Sequence, residues 1–565
     1  MEEKPAQAPD IPLESVGIPA PQGAANLIDT DYQIGQDNYQ ASPLGVSIDI
    51  HSSVFAVSAL MILGFVVLTL ALPEQATAIF NGAKNWINAN ATWFYLLSAN
   101  VFVLLCLGLI VSPLGRVRIG GADATPDFSR ISWFAMLFAA GMGIGLMFYG
   151  VAEPLTHYGT SLEGIAVGED GVRTDWAPLR GAGGDEAAAT RLGMAATLLH
   201  WSLHPWAMYA IVALALAIFS YNKGLPMTVR SIFYPILGER IWGWPGHIVD
   251  ILAVFATLFG LATSLGFGAE QAASGLHYLF GFGDGDVTLV LLITGITAVA
   301  LGSIVAGVDK GVKRLSEVNM VLAFLLLMFV VVVGPSLLIF KSFFQNIVSY
   351  LGELPFLSNP FARKDVNYSQ GWTTFYWGWW ISWSPFVGMF IARVSRGRSV
   401  REFLISVLLI PTTVSIFWFT AFGTTAIDQV RNGFDGAVSA ELPLQLFMML
   451  SELPLTDITS FIGIVLVLVF FITSSDSGSL VIDTIAAGGK IDAPKPQRVF
   501  WGITEGAVAI ALLLGGGLAA LQAVAVSAGL PFTFLLLAGC YAIVRGLLSE
   551  PRIAKPAKPV KPAAA

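Results

Sequence analysis

The sequence predicts an all-α integral membrane protein of 12 transmembrane helices, and three observations carry that reading. Of the 565 residues, 55% are hydrophobic and 12% charged, about half the charged share of a soluble domain, which is roughly 25%. Apolar segments recur along nearly the whole chain, centred near residues 63, 103, 142, 207, 260, 297, 328, 384, 413, 468, 508 and 535. Each is long enough to cross a bilayer as a helix, which takes about 17 to 25 residues. Basic residues gather in the loops after even-numbered spans, among them Arg116, Arg118 and Arg130, then Lys310, Lys313 and Arg314, then Arg393, Arg396, Arg398 and Arg401. With an even number of spans, this asymmetry places both termini in the cytoplasm.

Residues 1–50 carry eight Asp/Glu and one Lys, so they hold nearly all of the net charge of −8. They are acidic, polar and proline-containing, and are expected to form a disordered cytoplasmic tail rather than a signal peptide. Residues 51–548 form one membrane domain with no soluble insertion. Residues 549–565, "SEPRIAKPAKPVKPAAA", read as a basic Pro/Ala-rich cytoplasmic tail able to touch anionic lipid. Outside the first tail the charge is near balance, which excludes a nucleic-acid footprint. Cys106 and Cys540 both fall inside spans, so no disulfide framework is implied.

The third span contains "FAAGMGIGLMFYGVAEP", where Gly141, Gly143 and Gly145 alternate with Met142 and Ile144. Three glycines at this spacing weaken a helix and leave its backbone uncovered. Two readings stand: a small-residue packing face, or a discontinuous helix of the kind that builds a mid-membrane site in transporters.

The fourth span contains "HWSLHPWAMY", in which Pro205 should bend the helix between Trp201, Trp206 and Tyr209. His200 and His204 are four apart, as metal ligands on one helix face would be, but no Glu follows His200 in a metalloprotease pattern. They are expected to be hydrogen-bonded structural groups.

The eighth span opens with "WTTFYWGWWISWSPF", which places five of the 15 tryptophans within Trp372–Trp383. At 100° per residue Tyr376, Trp380, Trp383 and Val387 share a narrow arc. Trp380 and Trp383 lie too deep for an interfacial belt. A face of indoles inside a bundle suits a quaternary ammonium, which carries charge but donates no hydrogen bond, at about 0.5 to 2 kcal/mol per ring.

The tenth span contains "FFITSSDSGS". Thr473 and Ser474 either bond back to their own helix or join free carbonyls of the broken third span around a small hard cation. Asp476 and Glu270 are further acids in or near spans. After the seventh span, Phe343, Phe344, Ile347, Val348 and Leu351 recur at helical spacing, away from Gln345, Asn346 and Ser349, which predicts an amphipathic helix over about 341–352. A second short outer helix is expected near 440–452. The chain lacks a nucleophile–base pair, a metal cluster and a phosphate loop at informative spacing, so it does not read as an enzyme.

Together, "GMGIGLMFYG", "HWSLHPWAMY", "WGWWISWSPFVGMFIARVSRGRSVREF" and "FFITSSDS" resemble the betaine/choline/carnitine transporter family, nearest its sodium-coupled glycine betaine symporters. The resemblance implies a leucine-transporter-like 5+5 inverted repeat, spans 3–7 and 8–12, behind two N-terminal helices. It implies a homotrimer in the inner membrane, held partly by the amphipathic helix. By motif position its aromatic box falls on Trp201, Trp206, Tyr209 and Trp380, with Trp383 on the inner path and the substrate carboxylate near Ala140, Gly141, Met142 and Gly143. Its sodium site falls on Ala139, Met142, Phe470, Thr473 and Ser474, with sodium as coupling ion and no other cofactor. A second sodium position falls on Thr257, Phe386 and Leu261, and leucine cannot ligate a cation. Choline carriers have aspartate where this chain has Gly145, which favours a zwitterion, whereas Glu270 leaves a proton role open. The implied activity is sodium-coupled import of glycine betaine or a related trimethylammonium zwitterion. Choline, carnitine or dimethylsulfoniopropionate transport, proton-coupled or sodium-independent, is the alternative, and a non-transporting osmolyte sensor is the alternative of another class.

Overall fold

The computed structural model describes residues 18–551 apart from Met142 and residues 307–308. The readings of Met142 and of the tail beyond residue 551 therefore lie outside the described residues. The protein is an all-α membrane protein. Among the described residues ten helices are long and apolar enough to cross a bilayer, or 11 when Arg130–Ala140 and Ile144–Glu163 count as one bent span. Thr374–Val394, the tryptophan helix, is not among them, although its 21 residues could span. Trp377, Trp379, Trp380 and Trp383 depress its hydropathy, and it is enclosed by protein on most sides.

The helices sort by what they touch. In Ser52–Ala71, Asp286–Ala306 and Arg314–Val333 only 28–33% of the most apolar stretch is buried, so side chains such as Leu60, Val67, Leu291 and Val321 face outward. Uniformly apolar helices with little internal contact fit a lipid surround. The inner helices pair closely: Thr374–Val394 packs on Leu203–Ala217 and on Gly517–Leu548, and Thr456–Ala486 runs along Trp244–Phe280. Small residues permit this approach. A methyl added at Gly378 would meet Val526 Cα at 2.7 Å, and one at Gly529 would meet the Gly378 carbonyl at 2.7 Å. The site described below lies between these pairs.

Two expectations need correction. The acidic tail over 1–50 was expected to be disordered, yet residues 18–50 dock on the domain. Ile18 is fully buried, and the amides of Gln22 and Ile28 donate to the carbonyls of Gly120 and Lys223. Tyr32 stacks on Trp242 with ring centroids 3.8 Å apart, and the hairpin Asn38–Ala41/Ile48–His51 bonds through Asn38 to the Ala487 carbonyl and through Asp49 to Lys490. Composition averages over the segment and cannot register a few groups that each find a partner on helix ends far away in sequence. Glu550 is similarly buried against Lys223 and Asn222.

The amphipathic helix is longer than expected, Ser336–Leu357, and its apolar face is split. Leu337, Phe340, Phe344, Val348 and Leu351 are exposed, whereas Phe343 and Ile347 turn toward the core. Asn346, expected away from the packed face, is buried and donates to Thr420 Oγ1 at 2.9 Å. A short outer helix follows at Gln445–Ser451.

Candidate substrate and ion site

The third span is broken. Its axis turns by 62° between Arg130–Ala140 and Ile144–Glu163, with Gly143 in extended conformation at the break. Among the described residues no side chain caps the start of Ile144–Glu163. The first amide N–H groups of that half-helix are therefore open to a ligand, at the end of the helix dipole that favours negative charge. Of the two readings of the glycine run, the discontinuous helix is the one formed. Packing shares in it, because a methyl at Gly145 would lie 2.7 Å from Trp201 and 3.0 Å from Trp379.

The fourth span is broken as well, at Ser202 between Glu186–Trp201 and Leu203–Ala217. Pro205 explains the position. A proline ring clashes with the carbonyl four residues earlier and offers no N–H to it, and that carbonyl belongs to Trp201. The helix restarts so that Pro205 sits in the new first turn. The break leaves the His200 carbonyl free, and Trp380 Nε1 donates to it at 2.8 Å.

These breaks face one cavity of about 210 Å³. At one end stand Trp201, Tyr209 and Trp380: Trp380 meets Trp201 edge to face at 5.1 Å and 89°, and Tyr209 at 5.6 Å and 77°. Ala139, Ala140, Gly143 and Ile144 form the wall along the broken helix. Trp383 and Phe386 lie further along, and the cavity continues toward Ser316, Phe390 and Ser477, on the side of the basic loop that follows Val394. At the opposite end Tyr149, Tyr376 and Trp379 are packed and almost wholly buried. No carboxylate or ammonium group lines the cavity among the described residues; its polar side chains are hydroxyls and indoles.

The expected site residues separate accordingly. Trp201, Tyr209, Trp380, Trp383, Ala140 and Gly143 line the cavity, while Trp206 is buried behind it with its ring edge on Tyr209, 5.4 Å away. Gly141 ends its half-helix. Ala139, Phe470, Thr473 and Ser474 all line it. Thr473 donates its hydroxyl proton back to the Val469 carbonyl at 3.0 Å, the back-bonded arrangement, and its oxygen keeps lone pairs that can accept a further partner. Thr257 is fully buried with its hydroxyl bonded to the Ala253 carbonyl, away from the cavity, while Phe386 is part of the lining. Leu261 is fully buried against Gly478, where a methyl would come within 2.2 Å of Leu261 Cδ1. Glu270 does not reach the cavity, and Asp476 is paired with Arg498 at 2.9 Å.

Some features of the site escaped the sequence. Ser264, Ser316 and Ser477 line the cavity as single hydroxyls in apolar helices, and nothing marks them in the sequence. Trp379 packs between helices, with its N–H on Ser264 Oγ at 3.1 Å, and also presents a ring to the cavity. His200 and His204 are hydrogen-bonded as expected, His204 to Asn100 Oδ1 at 2.9 Å. His200, however, belongs to a buried group with Glu153 and His157. Glu153 is an acid inside the third span, itself a recognisable signal of function.

Comparison with known proteins gives a consistent picture. The model of the betaine/carnitine/choline family transporters matches residues 53–552. The chain is 64% identical to a glycine betaine/proline/choline transporter of Vibrio parahaemolyticus, over 95% of this chain and 97% of the relative. It is 53% identical to glycine betaine transporter 1 of the same organism, over 92% and 97%. A glycine betaine transporter of Acinetobacter baylyi is 42% identical over 88% of this chain and 74% of its own.

Proposed function

The chain belongs to the betaine/carnitine/choline transporter family, and from that premise we propose that it imports glycine betaine or a related trimethylammonium zwitterion, driven by sodium. The observation that carries the substrate is the pairing of an aromatic end, Trp201, Tyr209 and Trp380, with an open helix start at Gly143 in one cavity that has no carboxylate among the described residues. Rings take the methylated cation, which has no hydrogen bond to give. The half-helix amides take the carboxylate. A cation without its own carboxylate would leave those amides unanswered and its charge unbalanced, which favours the zwitterion over choline. Proline, named with betaine and choline for the Vibrio parahaemolyticus relative, shares the zwitterion but lacks the methyl groups.

Sodium is supported by Ala139, Phe470, Thr473 and Ser474 lining the same cavity, an oxygen-donating set for a hard cation. Leu261 fills the place of a second ligand group, which supports one sodium per cycle. Each charge moved across 100 mV contributes about 2.3 kcal/mol to uptake. The packed rings at one end and the cavity's reach toward the basic loops at the other fit an inward-facing state of an alternating-access cycle in the inner membrane, with both termini cytoplasmic. The 12-span, 5+5 inverted-repeat organisation belongs to this reading, with Thr374–Val394 as the first helix of the second repeat. The exposed stripe Leu337, Phe340, Phe344, Val348 and Leu351 supports a lipid-embedded trimer contact.

The deciding experiment is uptake of labelled glycine betaine, choline, carnitine, dimethylsulfoniopropionate and proline into proteoliposomes, with and without a sodium gradient. Betaine should be taken up best and only with sodium. Uptake indifferent to sodium would sink the coupling, and binding without flux would identify a sensor.

A further inference from the structure

A buried carboxylate stands directly behind the aromatic box. Glu153 is fully buried in Ile144–Glu163 and does not line the cavity. Its Oε2 accepts the Trp201 indole N–H at 2.6 Å and the Tyr376 hydroxyl at 2.5 Å. Its Oε1 lies 2.5 Å from His200 Nδ1 and 3.3 Å from His157 Nε2.

The donors settle its protonation. Indole N–H can only donate, and three hydrogen bonds converge on the two oxygens, from Trp201, Tyr376 and His200, as suits an ionised, acceptor-only carboxylate. His200 then carries its proton on Nδ1, and its Nε2 accepts from the Thr373 hydroxyl at 3.0 Å, so the ring is satisfied while neutral. Among the described residues the ion-pair partners of Glu153 are His157 and His200, and none of its partners is a Lys or an Arg. Its negative charge is thus not cancelled by a fixed cation, and the Trp201 indole lies between it and the cavity.

We propose that Glu153 is a specificity-determining positioning residue, whose charge, passed through the Trp201 N–H, makes the ring face more negative toward a methylated cation. Two physical effects act together. The charge-assisted bond fixes the indole plane, and polarisation along a hydrogen-bonded chain in a low-dielectric interior shifts electron density into the ring. A carboxylate inside the cavity would pair with any ammonium and would have to be desolvated with it. Placed one ring behind, it strengthens attraction for a cation that cannot donate a hydrogen bond, and adds no acceptor to the cavity for a competing primary amine. The same node steadies Trp380, because its His200 partner supplies the carbonyl that Trp380 binds.

This inference rests on the proposed substrate class, and its test reads binding rather than transport. Dissociation constants of the purified full-length protein are measured for glycine betaine and for 3,3-dimethylbutanoate, its isostere with carbon in place of the charged nitrogen. Wild type should prefer the cation. Glu153→Gln should reduce that preference by ~3- to 30-fold, the span of one cation–π contact, mainly by weakening betaine. In a Trp201→Phe background, which has no indole N–H, Glu153→Gln should reduce it no further. If Glu153→Gln weakens both ligands equally, or acts undiminished in the Trp201→Phe background, the residue is only structural and the proposal is overturned. Should Glu153→Gln not fold, Trp201→Phe alone must lower the preference, and an unchanged ratio overturns the proposal. A wild type that discriminates while these variants do so equally refutes this inference alone; a wild type that binds neither ligand refutes the substrate reading with it.

Discussion

Trp380 Nε1 donates to the backbone carbonyl of His200 at 2.8 Å, joining the tryptophan helix to the break in the fourth span. The contact exists because the helix break at Ser202, placed there by Pro205, leaves that carbonyl without its helical partner. Trp380→Ala should abolish glycine betaine uptake in proteoliposomes while the protein remains monodisperse. Trp380→Phe keeps a ring but leaves the carbonyl unpaired, at about 1 to 3 kcal/mol, and should retain uptake with a raised KM. Normal transport by the alanine variant would mean that the box lies elsewhere.

Gly145 is a contact position. A methyl there would press on Trp201 at 2.7 Å and Trp379 at 3.0 Å, both held by their N–H bonds. Overpacking of this kind costs about 1 to 3 kcal/mol. Gly145→Ala should therefore weaken betaine binding about tenfold, measured by calorimetry. Gly143→Ala meets nothing within 4 Å at its own Cβ and should be milder in packing terms.

Sodium dependence follows from the hydroxyl wall. Ser474→Ala and Thr473→Val should each raise the half-saturating sodium concentration for betaine uptake, with a smaller change in betaine KM at saturating sodium. On the proposed reading, in which a leucine at 261 denies a second sodium its ligand, the wild-type Hill coefficient for sodium should be about 1. A coefficient near 2 would require a second site outside this cavity wall.

The docked N-terminal hairpin should be acid-sensitive. Burial first, and then the Arg230 guanidinium 3.3 Å away, lower the His51 pKa from 6.5 to about 3. The folded state holds this ring neutral, whereas the unfolded chain protonates it near pH 6.5. The stabilisation is thus complete above pH 6.5 and is lost as pH falls toward 3. Between pH 7.5 and 5.5 the loss is roughly 1.4 kcal/mol. His51→Asn keeps a side-chain acceptor for the Val54 amide and should show a correspondingly smaller drop in melting temperature over that interval.

Much of this protein is legible in one dimension because a bilayer imposes a length and an apolarity on each span. The glycine run, Pro205, the deep tryptophans and the paired hydroxyls each break that rule locally, and a break inside a membrane must be answered by protein or ligand. That is why Trp201, Tyr209, Trp380, Thr473 and Ser474 could be chosen from sequence, and why all of them line one cavity. Ser264, Ser316 and Ser477 break no rule, since a lone hydroxyl is satisfied by its own helix. Trp206 obeyed the pattern yet stands one ring back, because helix phase near a break at Ser202 does not follow the periodicity.

By itself the sequence determined the membrane class, the approximate spans, the places where a helix could break and the residue types that suit a methylated cation. Each is a local property, written in a window of about 20 residues or fewer. Only the tertiary structure decided that residues 18–50 dock, that Leu261 is seated against Gly478, and that Glu153 supports Trp201 from behind. These are meetings of groups tens to hundreds of positions apart, and a buried polar group's worth depends on the partner it finds, which no local pattern specifies.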